Sequence, residues 1–440
     1  MTDTRSIRGA TPAQPRIGTI AMASFMGTSI EFYDFYIYGT AAALVLNGAF
    51  FPNLSPLAGQ LAAFSTFAVA FIARPVGSLL FGHFGDRVGR KSMLVASLLT
   101  MGFATVGIGL LPGYETIGVT APILLVVLRF VQGIGLGGEW GGAVLLAAEN
   151  APDGKRGWYG VFPQFGPGVG YFGAAGSFLL LSATMDEATF TSWGWRVPFL
   201  GSAVLVMLGL MVRIRLVETP AFAEVLRKRE RSSMPVMDMF TAAPGRLLLG
   251  AGTMVISYVL FYLATTFMLS YGTVTMEIPR DTMLTQQIVT IWAMIIGTAI
   301  SGWASDRYGR RAVLIFGCVF AAAVGLALPL FVATGSPGLM GVALALMLGA
   351  MGLCYGPIGS FLPELFEVRY RYTAASFAYT IGGVVGGGFA PLIGTELAAS
   401  YGIAAVGWYL AAIAVLSAIC AIVLPETKNT SLRMVERERD

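Results

Sequence analysis

Twelve apolar runs, each about 20 residues long, succeed one another along the chain, and little else is compatible with such a pattern. A helix of about 20 residues spans a hydrocarbon core roughly 30 Å thick. Inside lipid the backbone must satisfy its own hydrogen bonds, so segments of this length read as helices. The runs fall at 17–43, 58–82, 91–112, 121–149, 157–184, 194–215, 246–272, 284–304, 312–333, 338–363, 373–400 and 403–424. Only 12% of residues are charged and 56% are apolar, against roughly 25% charged in soluble domains. The expected fold is an all-α integral membrane protein of twelve transmembrane helices.

Lysine and arginine set the orientation, because positively charged loops are retained in the cytoplasm. With the N-terminus inside, 24 of the 28 basic residues fall on cytoplasmic segments. Arg196 and Arg280 fall outside, and Arg74 and Arg129 fall within spans. An even number of spans with both termini cytoplasmic accounts for this distribution. The first apolar run continues for a full span without a cleavage pattern, so 1–16 reads as a short cytoplasmic tail. Cys318, Cys354 and Cys420 lie in spans without metal spacing, and His83 is the one histidine, which argues against a metal site or a histidine-based catalytic centre. The chain is not expected to be an enzyme. Its net charge of +4 resides in the inside loops and calls for no nucleic-acid partner.

The chain repeats itself. "GHFGDRVGRK" at 82–91 returns as "GWASDRYGRR" at 302–311, in each case joining the second and third span of a half. Glu149 and Arg156 after the fourth span match Glu364 and Arg371 after the tenth, and "VETP" at 217–220 matches "PETK" at 425–428. The domain plan is therefore a six-helix bundle over 17–215, a linker over 216–245, a second bundle over 246–424 and a tail over 425–440. The linker is expected to be partly helical at the membrane interface. In the repeated loop, Asp86 and Asp306 can accept from helix N-termini and from a nearby arginine, while Gly89 and Gly309 permit a tight turn.

The repeated G-x-x-x-D-R-x-G-R-[KR] loop resembles the signature of the major facilitator superfamily. The resemblance implies two pseudo-symmetric six-helix bundles rocking around a central site. It also implies a cytoplasmic gate made of Asp86, Arg87, Gly89, Arg90, Glu149 and Arg156 with Asp306, Arg307, Gly309, Arg310, Glu364 and Arg371. "EFYDFYIYG", "FIARPVGSLLFGHFGDRVGRKS", "RFVQGIGLGGEWGGAVLLAAENAP" and "GWRVPF" resemble, more narrowly, the metabolite:proton symporter family, in particular its shikimate-permease branch and uncharacterised relatives of that branch. Such a protein would sit in the inner membrane, work as a monomer, need no cofactor and be driven by the proton gradient.

Ionisable groups within spans are costly and usually face an interior cavity. Glu31 and Asp34 lie three apart near the middle of the first span, followed one turn on by Tyr38. Arg74 precedes Pro75 in the second span. In the fourth, Gln132, Leu136 and Trp140 continue the face of Arg129, and Glu139 lies to one side. Three acids against two arginines leave one acid unmatched, as a proton-coupled carrier requires. Asp34 on the first span and Arg129 on the fourth also match the placement of a proton switch in related sugar carriers. The expectation is that Asp34 carries the proton under the control of Arg129, with Glu31 in support; a fixed ion-pair network tying the helices together is the alternative.

For the substrate, the arginines offer paired donors to a carboxylate, which favours small organic acids over sugars and leaves zwitterions such as betaine open. Arg129, Arg74, Glu139, Tyr38, Gln132, Trp140 and Gln164 are the candidates in the first half. In the second they are Tyr258, Tyr262, Gln287, Trp292, Tyr355 and Tyr379. An importing symporter is the leading expectation. An antiporter or exporter on the same fold, and a non-transporting sensor, remain as alternatives.

Overall fold

A computed structural model describes residues 17–88, 90–137, 140–149, 151–152, 154–215, 235–367 and 370–429. Among these the structure is almost wholly helical. The membrane-crossing elements are α1 (Ile17–Leu44), α2 (Pro56–Val88), α3 (Arg90–Leu110), α4 (Thr120–Leu136, resumed as Trp140–Glu149), α5 (Arg156–Thr184) and α6 (Val197–Arg215). The second set is α7 (Pro244–Tyr262, prolonged to Thr275), α8 (Arg280–Tyr308), α9 (Arg310–Val332), α10 (Pro337–Tyr355, resumed as Ile358–Glu364), α11 (Arg371–Gly383, prolonged to Tyr401) and α12 (Ile403–Val423). Nine described segments are long and apolar enough by themselves to cross a bilayer. The 28-residue α1, the 21-residue α3 and the glycine-rich 29-residue α5 complete the twelve.

Most boundaries fall within a few residues of the apolar runs. The second and eighth helices are the main extensions: α2 runs on to Val88, and the polar Arg280, Asp281, Asp306 and Arg307 belong to the ends of α8. Of the expected linker, Pro235–Ala242 is helical and 216–234 lies outside the described residues. The large side chains on the outer surface are apolar, among them Phe103, Leu248, Leu330 and Trp408. That is the arrangement a lipid solvent selects, while close packing inside depends on small residues.

Glycine contacts show the duplication in three dimensions. In the first half a Cβ on Gly77 would lie 2.0 Å from the Ile134 carbonyl oxygen, and one on Gly137 would lie 2.1 Å from that of Arg74. In the second half Gly297 meets the Gly349 carbonyl at 2.8 Å, and Gly352 meets that of Met294 at 2.3 Å. Gly77 and Gly297 stand 220 residues apart, and Gly137 and Gly352 stand 215 apart, so the α2–α4 contact recurs residue for residue as α8–α10. The α1–α5 contact recurs in the same way as α7–α11: Gly170 abuts the Ser29 carbonyl and Phe32, and Gly386 abuts the Val255 carbonyl and Tyr258. Phe32 and Tyr36 thereby correspond to Tyr258 and Tyr262. The fold is two pseudo-symmetric six-helix bundles.

The halves meet along a seam in which α5 and α8 run antiparallel. Gly157 lies against Ser305, Gly168 against Ile295, Phe172 against Trp292, and Ser182 against Arg280.

Candidate functional site

The centre of the interface is aromatic. Phe32 and Tyr36 of α1 stack at 5.4 Å, Tyr36 faces Phe261 at 4.8 Å, and Tyr258 and Tyr262 of α7 stack at 6.3 Å. Trp140 of α4 lies flat on Tyr379 of α11 at 3.9 Å and 8°. Its indole N–H donates to Gln164 Oε1 at 2.9 Å; Gln164 Nε2 in turn donates to the Tyr355 carbonyl across the seam at 3.1 Å. The Tyr355 and Tyr379 hydroxyls lie 3.1 Å apart. Tyr171 donates to Gln287 Oε1 at 2.6 Å, and Gln287 Nε2 donates to the Ala264 and Thr265 carbonyls. Those carbonyls belong to a widened, π-type turn of α7 over Leu263–Phe267, whose displaced backbone acceptors need such side-chain donors.

Two small adjoining cavities, about 20 and about 10 Å³, open among these rings. Each has room for about one water molecule, so the halves are closed around the centre. Glu31, Arg74, Trp140, Ser376 and Tyr379 line the first. Tyr36, Ser257, Tyr258, Tyr262 and Tyr355 line the second, which also reaches Tyr379.

The buried charges divide differently from expectation. Glu31 lines the first cavity, whereas Asp34 is fully buried, lines neither cavity, and among the described residues has no hydrogen-bond partner on either carboxylate oxygen. Positions i and i+3 point about 60° apart on a helix, enough here to put one acid at the interface of the halves and the other within its own bundle. Asp34 and Arg129 form no direct ion pair. Arg129 Nη1 donates to Gln132 Oε1, its Nη2 reaches the Phe67 carbonyl at 3.4 Å, and its guanidinium covers Tyr38 at 3.7 Å. Gln132 Nε2 then donates to Thr105 Oγ1 at 2.7 Å and to the backbone carbonyl of Asp34 at 3.2 Å. Arg129 is thus tied to Asp34 through Gln132 and main chain, and the Tyr38 hydroxyl is engaged with Thr66.

Arg129, Gln132, Tyr38, Gln164 and Gln287 line neither of these cavities. Along α4, Gln132 points into the first bundle while Trp140 reaches the centre. Trp292 is a clear correction. It is 50% exposed on the outer surface, edge-on to Phe172, because a ring facing lipid and a ring facing a site look alike in an apolar sequence. Glu139 lies outside the described residues. The cavity residues Phe32, Tyr36, Ser257, Phe261 and Ser376 were not anticipated; the internal repeat, which sets Phe32 and Tyr36 against Tyr258 and Tyr262, was the signal that could have found them.

Both ends of the interface are clasped. At the arginine-rich end, Asp306 accepts from the Gly157 and Trp158 amides at the first turn of α5, at 2.8 and 2.9 Å, and pairs with Arg310 at 3.0 Å. An acid at a helix N-terminus meets unpaired N–H groups and the positive end of the helix dipole. Glu364 receives Arg310 at 3.3 Å, Thr427 at 2.6 Å and, from the other half, Arg156 at 3.8 Å. Glu426, which the repeat marked only as part of "PETK", accepts from the Arg310 and Arg311 amides. Gly309 has φ of 102°, and a Cβ there would strike Glu426 at 2.5 Å, so the turn admits glycine on two counts. Arg307 accepts Lys428 on its carbonyl, and Arg371 donates to the Phe366 carbonyl. Gly89 and the side chains of Asp86, Arg87, Arg90 and Glu149 lie outside the described residues. At the opposite end, Arg280 of α8 pairs with Glu187 at 2.8 Å, donates to Ser182 of α5 at 3.0 Å and covers Phe190 at 3.9 Å.

Twelve helices in duplicated halves, meeting at a buried polar centre with clasps at both ends, define a membrane transporter of the major facilitator fold. The chain belongs to the family of sugar (and other) transporters, whose model matches residues 19–245 and 245–438. An inner membrane metabolite transport protein of Escherichia coli K12, YhjE, is 47% identical over 96% of this chain and 97% of its own length. The shikimate transporter of the same strain is 38% identical, covering 93% of this chain and 94% of that protein. Its proline/betaine transporter is 34% identical over 93% of this chain and 84% of that protein. A solved proton:xylose symporter superposes with a TM-score of 0.75 over 94% of this chain and 97% of its own, at 20% identity, which is a likeness of fold.

Proposed function

We propose that this protein is a proton-coupled symporter that imports a small carboxylate-bearing metabolite by alternating access, working as a monomer with both termini in the cytoplasm. One observation carries the reading: two acids and two arginines are buried at the heart of a membrane bundle, at or beside an interface closed at both ends. Charges so placed are expensive unless used. A carboxyl group that can be neutral or charged links proton movement to the charge of a bound acid. Asp34, whose carboxylate has no hydrogen-bond partner among the described residues, is the proton carrier of this scheme. Arg129 biases it through Gln132, and Glu31 links it to the cavity. The Asp306 and Glu364 clasp serves as the cytoplasmic gate, the segment 216–245 joins the bundles, and the proton gradient takes the place of a cofactor. Relatives named for shikimate and for proline/betaine support a small carboxylate-bearing solute.

The test is uptake into proteoliposomes under an imposed pH gradient. Wild-type protein accumulates substrate when the outside is acidic, and Asp34→Asn equilibrates it without accumulation. Full accumulation by Asp34→Asn rejects the proton assignment; substrate leaving against an inward proton flow identifies an exporter instead.

A further inference from the structure

Among the described residues, the cavities hold a set of polar groups that make no hydrogen bond. Arg74 is 2% exposed, and among the described residues its Nε and Nη2 have no hydrogen-bond partner. The hydroxyls of Ser376 in the first cavity, and of Ser257, Tyr258 and Tyr262 in the second, are likewise buried and without partners. Buried polar groups in native proteins are almost always paired, so a cluster left open along one cavity wall marks a ligand's place. The guanidinium is held in position by ring faces: Phe35 and Phe71 each lie 4.2 Å from its Cζ. These contacts fix Arg74 while leaving its Nε and Nη2 unspent among the described residues. Arg129 differs, being bonded to Gln132 and Phe67 and absent from both walls.

We infer that Arg74, not Arg129, is the carboxylate anchor, and that the open hydroxyls around it select a compact monocarboxylate bearing hydroxyl groups on its body. This rests on the reading of the protein as a carrier of small carboxylates. Among the described residues, every unpartnered group on the walls can donate, and the carboxylate that lines them, Glu31, is already engaged. A quaternary ammonium zwitterion would satisfy Arg74 and leave the Ser257, Tyr258 and Tyr262 hydroxyls unpaired in a dry site. A site built to bond substrate hydroxyls discriminates strongly against analogues that lack them. The flat Trp140–Tyr379 stack and the Tyr258–Tyr262 stack provide faces for the apolar side of a small ring.

The experiment measures binding to the purified full-length protein by titration calorimetry, without any proton gradient. The probes are shikimate, its methyl ester, cyclohexanecarboxylate and glycine betaine. Wild-type protein is expected to bind shikimate at least about tenfold more tightly than each of the other three, as the loss of one charge-assisted bond or of several hydroxyl bonds implies. In Arg74→Gln the preference of acid over ester disappears, and Arg74→Lys restores part of it. Tyr258→Phe/Tyr262→Phe abolishes the preference for shikimate over cyclohexanecarboxylate and retains that for acid over ester. Each result is a ratio within one variant, so partial loss of folded protein does not imitate it. The inference is overturned if Arg74→Gln keeps the acid preference, if betaine binds as well as shikimate, or if no probe binds at 10-fold the concentration that saturates a carboxylate carrier, about 10 mM. Binding as expected with uptake indifferent to pH would reject symport and leave this assignment standing.

Discussion

Adding one methyl group at Gly137 tests the duplicated helix contact on which the position of Arg74 depends. In Gly137→Ala the new Cβ would lie 2.1 Å from the Arg74 carbonyl oxygen and 2.7 Å from the Ser78 amide nitrogen, both backbone atoms that no rotamer change can remove. Ordinary contact begins at 3.4 Å, so α2 and α4 must part by about 1.3 Å at this point. Overpacking of this kind costs about 1–3 kcal/mol. The displaced strand of chain is the one carrying Arg74, so substrate affinity falls together with stability. Gly352→Ala, whose Cβ meets the Met294 carbonyl at 2.3 Å, makes the same intrusion in the other half and is expected to destabilise by a similar amount. It displaces no arginine and alters affinity less. Gly176→Ala, with nothing within 4 Å of the added atom, is the control. Thermal unfolding in detergent, followed by tryptophan fluorescence, gives the ranking. If Gly137→Ala unfolds at the same temperature as Gly176→Ala, the close α2–α4 approach is not a feature of the protein and the argument from duplication loses its basis.

Two further outcomes follow from the ends of the interface. Asp306→Asn removes the ion pair with Arg310 and the negative charge at the α5 N-terminus. A loss of about 1–2 kcal/mol there is expected to speed hydrogen exchange of the Gly157 and Trp158 amides by roughly tenfold or more, and unchanged protection would refute it. Asp186 caps the short helix Glu187–Ser192, and the Thr189 backbone amide holds its carboxyl below the ordinary value of 3.8. A depressed carboxylate stabilises the fold at pH above its unfolded value, and the gain is lost as the pH falls through the folded one. Asp186→Ala therefore lowers the unfolding temperature at pH 7, and the gap to wild type narrows as the pH falls below 3.8; a gap constant down to pH 3 contradicts this.

The helices were legible because the bilayer imposes a length, and the duplication because the loop residues recur in order. The site was harder to read for a physical reason. In a soluble helix the polar face points outward, so periodicity tells inside from outside. Here lipid and interior are both apolar, and Trp292 faces lipid while Trp140 faces the cavity, with no difference in pattern to separate them. Glu31 and Asp34 were recognisable as important and not as separate, since which neighbour each meets depends on the packing of α4, α5 and α6 around α1. The surroundings of the two arginines combine near and distant neighbours: Gln132 and Phe67 occupy Arg129, whereas Phe71 and Phe35 flank Arg74 and leave its Nε and Nη2 open among the described residues.

The helices α5 and α8 are equal in length, 29 residues each, lie antiparallel, and are fastened at both tips: Asp306 grips the first turn of α5, and Arg280 its last. Two equal rods pinned at each extremity form a see-saw with both catches shut. Tilting one rod against the other requires that a single catch spring while the second becomes the hinge. The charge on Asp306 is shielded at the helix tip and that on Glu187 is open to solvent, so under the proposed alternating access salt in the medium is expected to loosen the Arg280 catch first.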